Sequence, residues 1–97
     1  MNIQTYGLTI LKGGITGIKN VSHNISNINT PDAKALKTHY IERAAQGVQP
    51  RTYIVDENPT LVDNMPKLLL YQRTTQLGTK LIKTYSELSS YILDIKR

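Results

Sequence analysis

An apolar line near the front of the chain, and the way it stops, constrain the fold most. Leu8, Leu11, Ile15, Ile18, Val21, Ile25 and Ile28 recur at steps of three and four, which is one face of a helix. The line runs into Asn24, Asn27 and Asn29, which are weak helix formers. It then meets Thr30-Pro31, where the proline drives Thr30 out of the α region. The spacing predicts a helix over roughly 3–30. Gly7, Gly13, Gly14 and Gly17 oppose it, each costing about 1 kcal/mol relative to alanine in a helix interior. Either the regular helix begins only near Thr16, or the glycines let a neighbouring helix come close. A helix with so little propensity of its own depends on packing partners.

A second periodic stretch occupies the other end. Leu70, Leu77, Leu81, Tyr85, Leu88, Ile92 and Ile95 follow one another at steps of three or four, with Thr74 filling the gap. This is the narrow seam of a coiled coil, not the wide face of a core helix. The helix is expected over about 61–97. Pro66 would cost about 3 kcal/mol in a helix interior, so a continuous helix is expected to start there, capped by Asn64 or Met65.

The insert, about 31–60, reads differently. A helical turn is possible at Ala35–Ala45. Gly47-Val48-Gln49-Pro50 marks a turn, and Arg51–Val55 is β-branched and aromatic, hence a short strand. Thr38–Ile41 could pair with it as a ribbon, which is marginal unless it lies on a surface. The expected fold is therefore mainly α: one unit made of an antiparallel, coiled-coil-like pair of long terminal helices with a short β-ribbon or loop insert. The two seams are expected to face each other and to leave apolar surface for other subunits.

Charge and composition exclude much. Ninety-seven residues give one small domain with a marginal core. The net charge of +5 is uneven: residues 1–31 hold no acid, and the acids gather at Asp32, Glu42, Asp56, Glu57 and Asp63 between two mildly basic arms. No run of five bases occurs, so the ordinary reading is solvated helix faces. A small basic module binding nucleic acid or an anionic surface is the alternative. Without cysteine there are no disulfides or thiolate metal sites. The longest apolar run, Leu68–Tyr71, is far short of the ~18 residues of a membrane span. The N-terminus lacks the pattern of a secretory signal, so any exit from the cytoplasm is expected by another route.

Catalytic chemistry is not expected. His23 and His39 stand apart and without acids at metal-ligand spacing. There is no nucleophile elbow, phosphate loop or zinc-helix motif. Asp56-Glu57 precedes Asn58-Pro59 in what reads as a solvated turn, and Gly13-Gly14 lacks the strand and Lys-Ser/Thr of a nucleotide cradle. Tyr85 and Tyr91 fit interface packing better than base stacking. No cofactor is implied.

Asn24-Ile25-Ser26-Asn27-Ile28-Asn29-Thr30-Pro31-Asp32-Ala33-Lys34 resembles the N-terminal signature of bacterial flagellar rod and hook (axial) proteins, close to N-I-A-N-x-N-T-P-G-Y-K, with Asp32-Ala33 in place of Gly-Tyr. The C-terminal arm is similar to the same family's L-V-x-E-M-V-x-L-I-x-A-Q-R-A-Y-x-A-N-x-K-V-I-x-T-x-D-E-M-L. The matching positions are Leu61-Val62, Met65, Leu68, Gln72-Arg73, Lys80, Ile82, Thr84 and Glu87, without a gap. Pro66, Tyr71, Thr75 and Gly78 depart from the pattern. The resemblance covers about two-thirds of the chain, and the short insert is nearest the proximal-rod type.

The resemblance implies a structural subunit of the periplasmic basal-body rod, exported through the flagellar type III apparatus without a cleaved signal. It implies polymerisation with other axial proteins or further copies of itself, with no nucleic acid and no membrane insertion. Subunit contacts are then expected at Ile18, Val21, Asn24, Ile25, Asn27, Ile28, Asn29, Thr30 and Pro31. On the C-terminal arm they are expected at Gln72, Arg73, Leu77, Leu81, Ile82, Thr84, Leu88 and Ile92.

Overall fold

The computed structural model describes residues 3–43 and 47–96. Helix α1 spans Ile3–Ser26, strands β1 and β2 span Leu36–Arg43 and Gly47–Ile54, and helix α2 spans Leu61–Lys96. The protein is mainly helical, with a two-stranded antiparallel ribbon. Its extents of 64 × 27 × 14 Å make it a long thin plate.

α1 is regular from Ile3, so the glycines do not delay its start to Thr16. Their helix cost is offset by what they allow against α2. The helix ends at Ser26, four residues earlier than the apolar line suggests. Asn27 N–H donates to Asn24 O at 3.1 Å and Thr30 N–H to Asn27 O at 3.1 Å, so the chain tightens into successive turns. Asn27 Nδ2 caps the end by donating to His23 O at 2.8 Å. Asp32, with φ of 58°, takes the left-handed conformation that redirects the chain.

The ribbon is longer than expected and replaces the possible helical turn at Ala35–Ala45, whose last two positions lie outside the described residues. Thr38, Tyr40 and Ile41 favour an extended backbone, and Leu36↔Ile54 through Arg43↔Gly47 pair in register. Both strands are edges, so Pro50 is tolerated opposite Tyr40. At the ribbon's base, Ala35 N–H donates to Glu57 O (2.8 Å) and Val55 N–H to Ala35 O (3.0 Å). The Lys34–Asp56 and Lys37–Glu57 ion pairs flank this base at 3.6 and 3.9 Å.

α2 begins at Leu61, as the expected span from 61 has it, and continues through Pro66, so the expected start of the continuous helix at Pro66 does not hold. Thr60 is the cap: its Oγ1 accepts from Asp63 N–H at 3.2 Å, and Asp63 places an acid in the first turn. Pro66 lies one turn further on. The acceptor it leaves without a partner is the carbonyl of the exposed Val62, where water can serve. Replacing Thr60 with alanine should cost about 1 kcal/mol. The expected result in amide hydrogen exchange is faster exchange confined to the first turn of α2. Position 97, included in the sequence expectation, lies outside the described residues.

Helix lengths differ. At 1.5 Å per residue α2 is about 54 Å long and α1 about 36 Å. Gly7 of α1 lies against Gly78 and Ile82, so roughly the last ten residues of α2 run past the described start of α1.

Candidate assembly surface

The two helices are antiparallel, because partners on α2 fall in number as those on α1 rise. Gly7 meets Ile82, Gly14 meets Thr75, Gly17 meets the Tyr71 ring, and Asn24 meets Asn64. Close approach sets this interface. A methyl group on Gly78 would lie 2.6 Å from the Leu11 backbone nitrogen, and one on Gly14 would collide with Thr75. The hydroxyl of Thr75 is already bonded to Tyr71 O at 2.9 Å, so it can face α1 without an unmet donor.

Apolar burial is slight. Among the described residues, the buried apolar side chains are Val21, Ala35 and Pro59, while Asn20, Asn24 and Asn64 are buried polar ones at 4, 3 and 3 % exposure. Burying three amides is tolerable only if each is bonded, and all are. Asn24 Nδ2 donates to Leu36 O and to Asn64 Oδ1, both at 2.8 Å, while its Oδ1 accepts from Leu36 N–H at 2.7 Å. It therefore joins α1, β1 and α2 at one point. Asn64 Nδ2 in turn donates to Thr60 O at 2.6 Å. Asn20 holds the ribbon one turn earlier, donating to Thr38 Oγ1 (2.7 Å) and accepting from Thr52 Oγ1 (3.1 Å). Tyr40 lays its hydroxyl end over Gly13. Burial of that group, and then the neighbouring Tyr71, pushes the Tyr40 hydroxyl pKa up.

The expected seams are rotated relative to this interface. Leu70 and Leu77 do not face α1 and are exposed, at 59 and 57 %, whereas Leu88, Ile92 and Ile95 are exposed where α2 runs past the described start of α1. Leu81 and Tyr85 are half-buried. On α1, Leu8 and Ile15 are likewise exposed. The reason is that the helices meet through small residues, so the large aliphatic ones lie to the sides.

Among the expected contact residues, Val21 and Asn24 are buried within the chain and are not free for a neighbour. Ile82 packs on Gly7. Ile18, Ile25, Asn27, Ile28 and Leu81 are half-buried. Asn29, Thr30, Pro31, Gln72, Arg73, Leu77, Thr84, Leu88 and Ile92 are at the surface. The sequence reading missed Asn20, Asn64, Thr60 and Gly78 as determinants. A signal for the interface exists in the seven-residue steps Gly7, Gly14, Val21, Ile28 and Asn64, Tyr71, Gly78, Tyr85.

Clefts offer little chemistry. One of about 200 Å³ lies between ribbon and helices, lined by Asn20, Leu36, Tyr53, Lys67 and Tyr71 among others, and its amide is already bonded. His39 is exposed and sets its ring edge-on to Tyr53, with centroids 4.8 Å apart. Among the described residues no group of three or more His, Asp or Glu is placed to hold a metal. None of the described helices is long and apolar enough to cross a membrane. α2 carries a row of exposed apolar side chains, Leu69, Leu70, Leu77, Leu88, Tyr91 and Ile95 among them. Comparison with protein-family models, with characterised proteins and with solved structures finds no match.

Proposed function

We propose that the chain is a structural subunit of the bacterial flagellar basal-body rod, exported without a cleaved signal and polymerising through its helical arms. The observation that carries this reading is the backbone at Asp32. The axial-protein signature has glycine at the position that Asp32 fills, and φ there is 58°, a conformation glycine adopts without the Cβ penalty. Aspartate is among the few other residues that tolerate it. The motif's asparagines have matching physical roles: Asn24 satisfies the backbone of Leu36, and Asn27 caps α1.

The exposed apolar flank supports the same reading, since a chain that buries so little internally has surface to give to neighbours. In the rod, the α2 seam packs against other subunits as a coiled coil. The test is electron microscopy of basal bodies from a strain lacking the gene, complemented with wild type or with Ile25→Asp. Ile25 is half-buried, and a charge there spoils an apolar contact. Rods missing or truncated without the gene, restored by wild type and not by Ile25→Asp, are the expected result. Normal rods and motility in the deletion strain would overturn the proposal.

A further inference from the structure

We infer that two copies of this chain pair antiparallel through α2, over residues 70–95, as a closed dimer. The apolar flank of α2 fits a heptad in which Leu70, Leu77, Thr84 and Tyr91 alternate with Thr74, Leu81, Leu88 and Ile95. One side of this seam is spent on α1, through Tyr71 and Gly78. The other side carries Arg73, Lys80, Glu87 and Asp94, at successive seven-residue steps. All four are exposed, and among the described residues none makes an ion pair within the chain.

The order of those charges selects the partner. Two basic positions precede two acidic ones, so the row is complementary to itself only when reversed. In an antiparallel pair the same flank of each helix meets its counterpart. Arg73 of each copy then stands opposite Asp94 of the other, and Lys80 opposite Glu87. The same register sets Leu77 against Leu88 and Leu70 against Ile95, so the apolar layers and charges agree on one alignment. A parallel pair would set the charged flank of one helix against the Tyr71 and Gly78 flank of the other, which α1 occupies and which carries no charge. The end of α2 that runs past α1 would lie beside the partner's seam near residues 70–78. Such a two-fold contact closes on itself. It uses the flank that a rod subunit would give to its neighbours, so it describes the free chain, and its test on purified protein is separate from the test of the rod reading.

Sedimentation equilibrium of the purified full chain tests the pairing. Wild type is expected to be a dimer. Lys80→Glu should weaken dimerisation about tenfold or more at low salt, because it turns two cross-chain attractions into repulsions. Adding Glu87→Lys to Lys80→Glu should restore the constant to within about twofold, the signature of coupled positions. Both positions are exposed, so circular dichroism should show equal helix content in all three proteins. A wild type that remains monomeric at about 100 μM, where even a micromolar pair is saturated, would overturn the inference. So would a dimer, or a larger oligomer, indifferent to the single reversal or not rescued by the exchange.

Discussion

Gly78→Ala is expected to destabilise the protein by up to about 2 kcal/mol, although alanine is the better helix former. Propensity alone favours the substitution by about 1 kcal/mol. The added methyl would sit 2.6 Å from the Leu11 nitrogen, 2.9 Å from its Cα and 3.0 Å from Gly7 O. All three are backbone atoms of α1, which cannot turn aside as a side chain does. Overpacking of this kind costs about 1–3 kcal/mol, and Gly78→Leu should prevent the helices from closing at all. Gly7→Ala is the control. Its nearest obstacle is a side-chain atom, Ile82 Cγ1 at 2.8 Å, and the backbone stands further off, with Ile82 N at 3.3 Å and Gly78 O at 3.4 Å, so the loss there should be smaller. Urea unfolding followed by circular dichroism reads both. Equal stabilisation by the two alanines would mean that close approach does not set this interface.

That contrast also explains why the sequence is legible in some places and not in others. The α1 face and its Asn-rich end are visible because apolar spacing and proline act locally, and the structure places the break within a few residues of expectation. Strand β2 is visible for the same reason, from Arg51 to Ile54. The rotation of both seams is not visible to a reading weighted by large aliphatic side chains. Here the helices meet where side chains are missing, at Gly7, Gly14, Gly17 and Gly78. Glycine reads as a helix breaker in sequence and acts as an interface residue in three dimensions. At the start of α2 the expected span from 61 holds, and only the expected break at Pro66 does not. Pro66 looks decisive, but the bond from Asp63 N–H to Thr60 Oγ1 fixes the start five residues earlier.

Polar burial deepens the same point. A domain of this size normally gains stability from a cluster of large apolar side chains. Among the described residues none fills that role, and the ribbon is held to the helices by amides. Directional bonds tolerate only one register of ribbon on helix, whereas apolar contacts would slide. The surface consequence is that Leu70, Leu77, Leu88 and Ile95 remain outside, available to another chain. A weak inside and an apolar outside are therefore two sides of one arrangement. Either the rod or the antiparallel dimer can complete it.

The largest effect is expected at Asn24. Asn24→Leu keeps the number and branching of the side-chain heavy atoms and removes every polar contact of the side chain. Leu36 then loses the partner of its N–H and the partner of its carbonyl, and Asn64 Oδ1 loses its donor. A buried group left unmet costs about 1–3 kcal/mol, with Asn64 Oδ1 fully buried and the two groups of the half-buried Leu36 toward the low end. Three together approach the whole stability of a small domain, about 5 kcal/mol at the low end of the usual range. Asn20→Ala should be milder, because its partners Thr38 and Thr52 are hydroxyls near solvent that can turn to water. Hydrogen exchange separates the two cases. Asn24→Leu should abolish protection of the Leu36 amide and of the ribbon's base, at Ala35 and Val55, before α2 is affected. Adding Asn64→Leu should recover part of the loss, since the orphaned amide oxygen goes with it. If Asn24→Leu melts within about 1 kcal/mol of wild type, below the cost of a single unmet group, the three-way junction at Asn24 does not hold the ribbon to the helices.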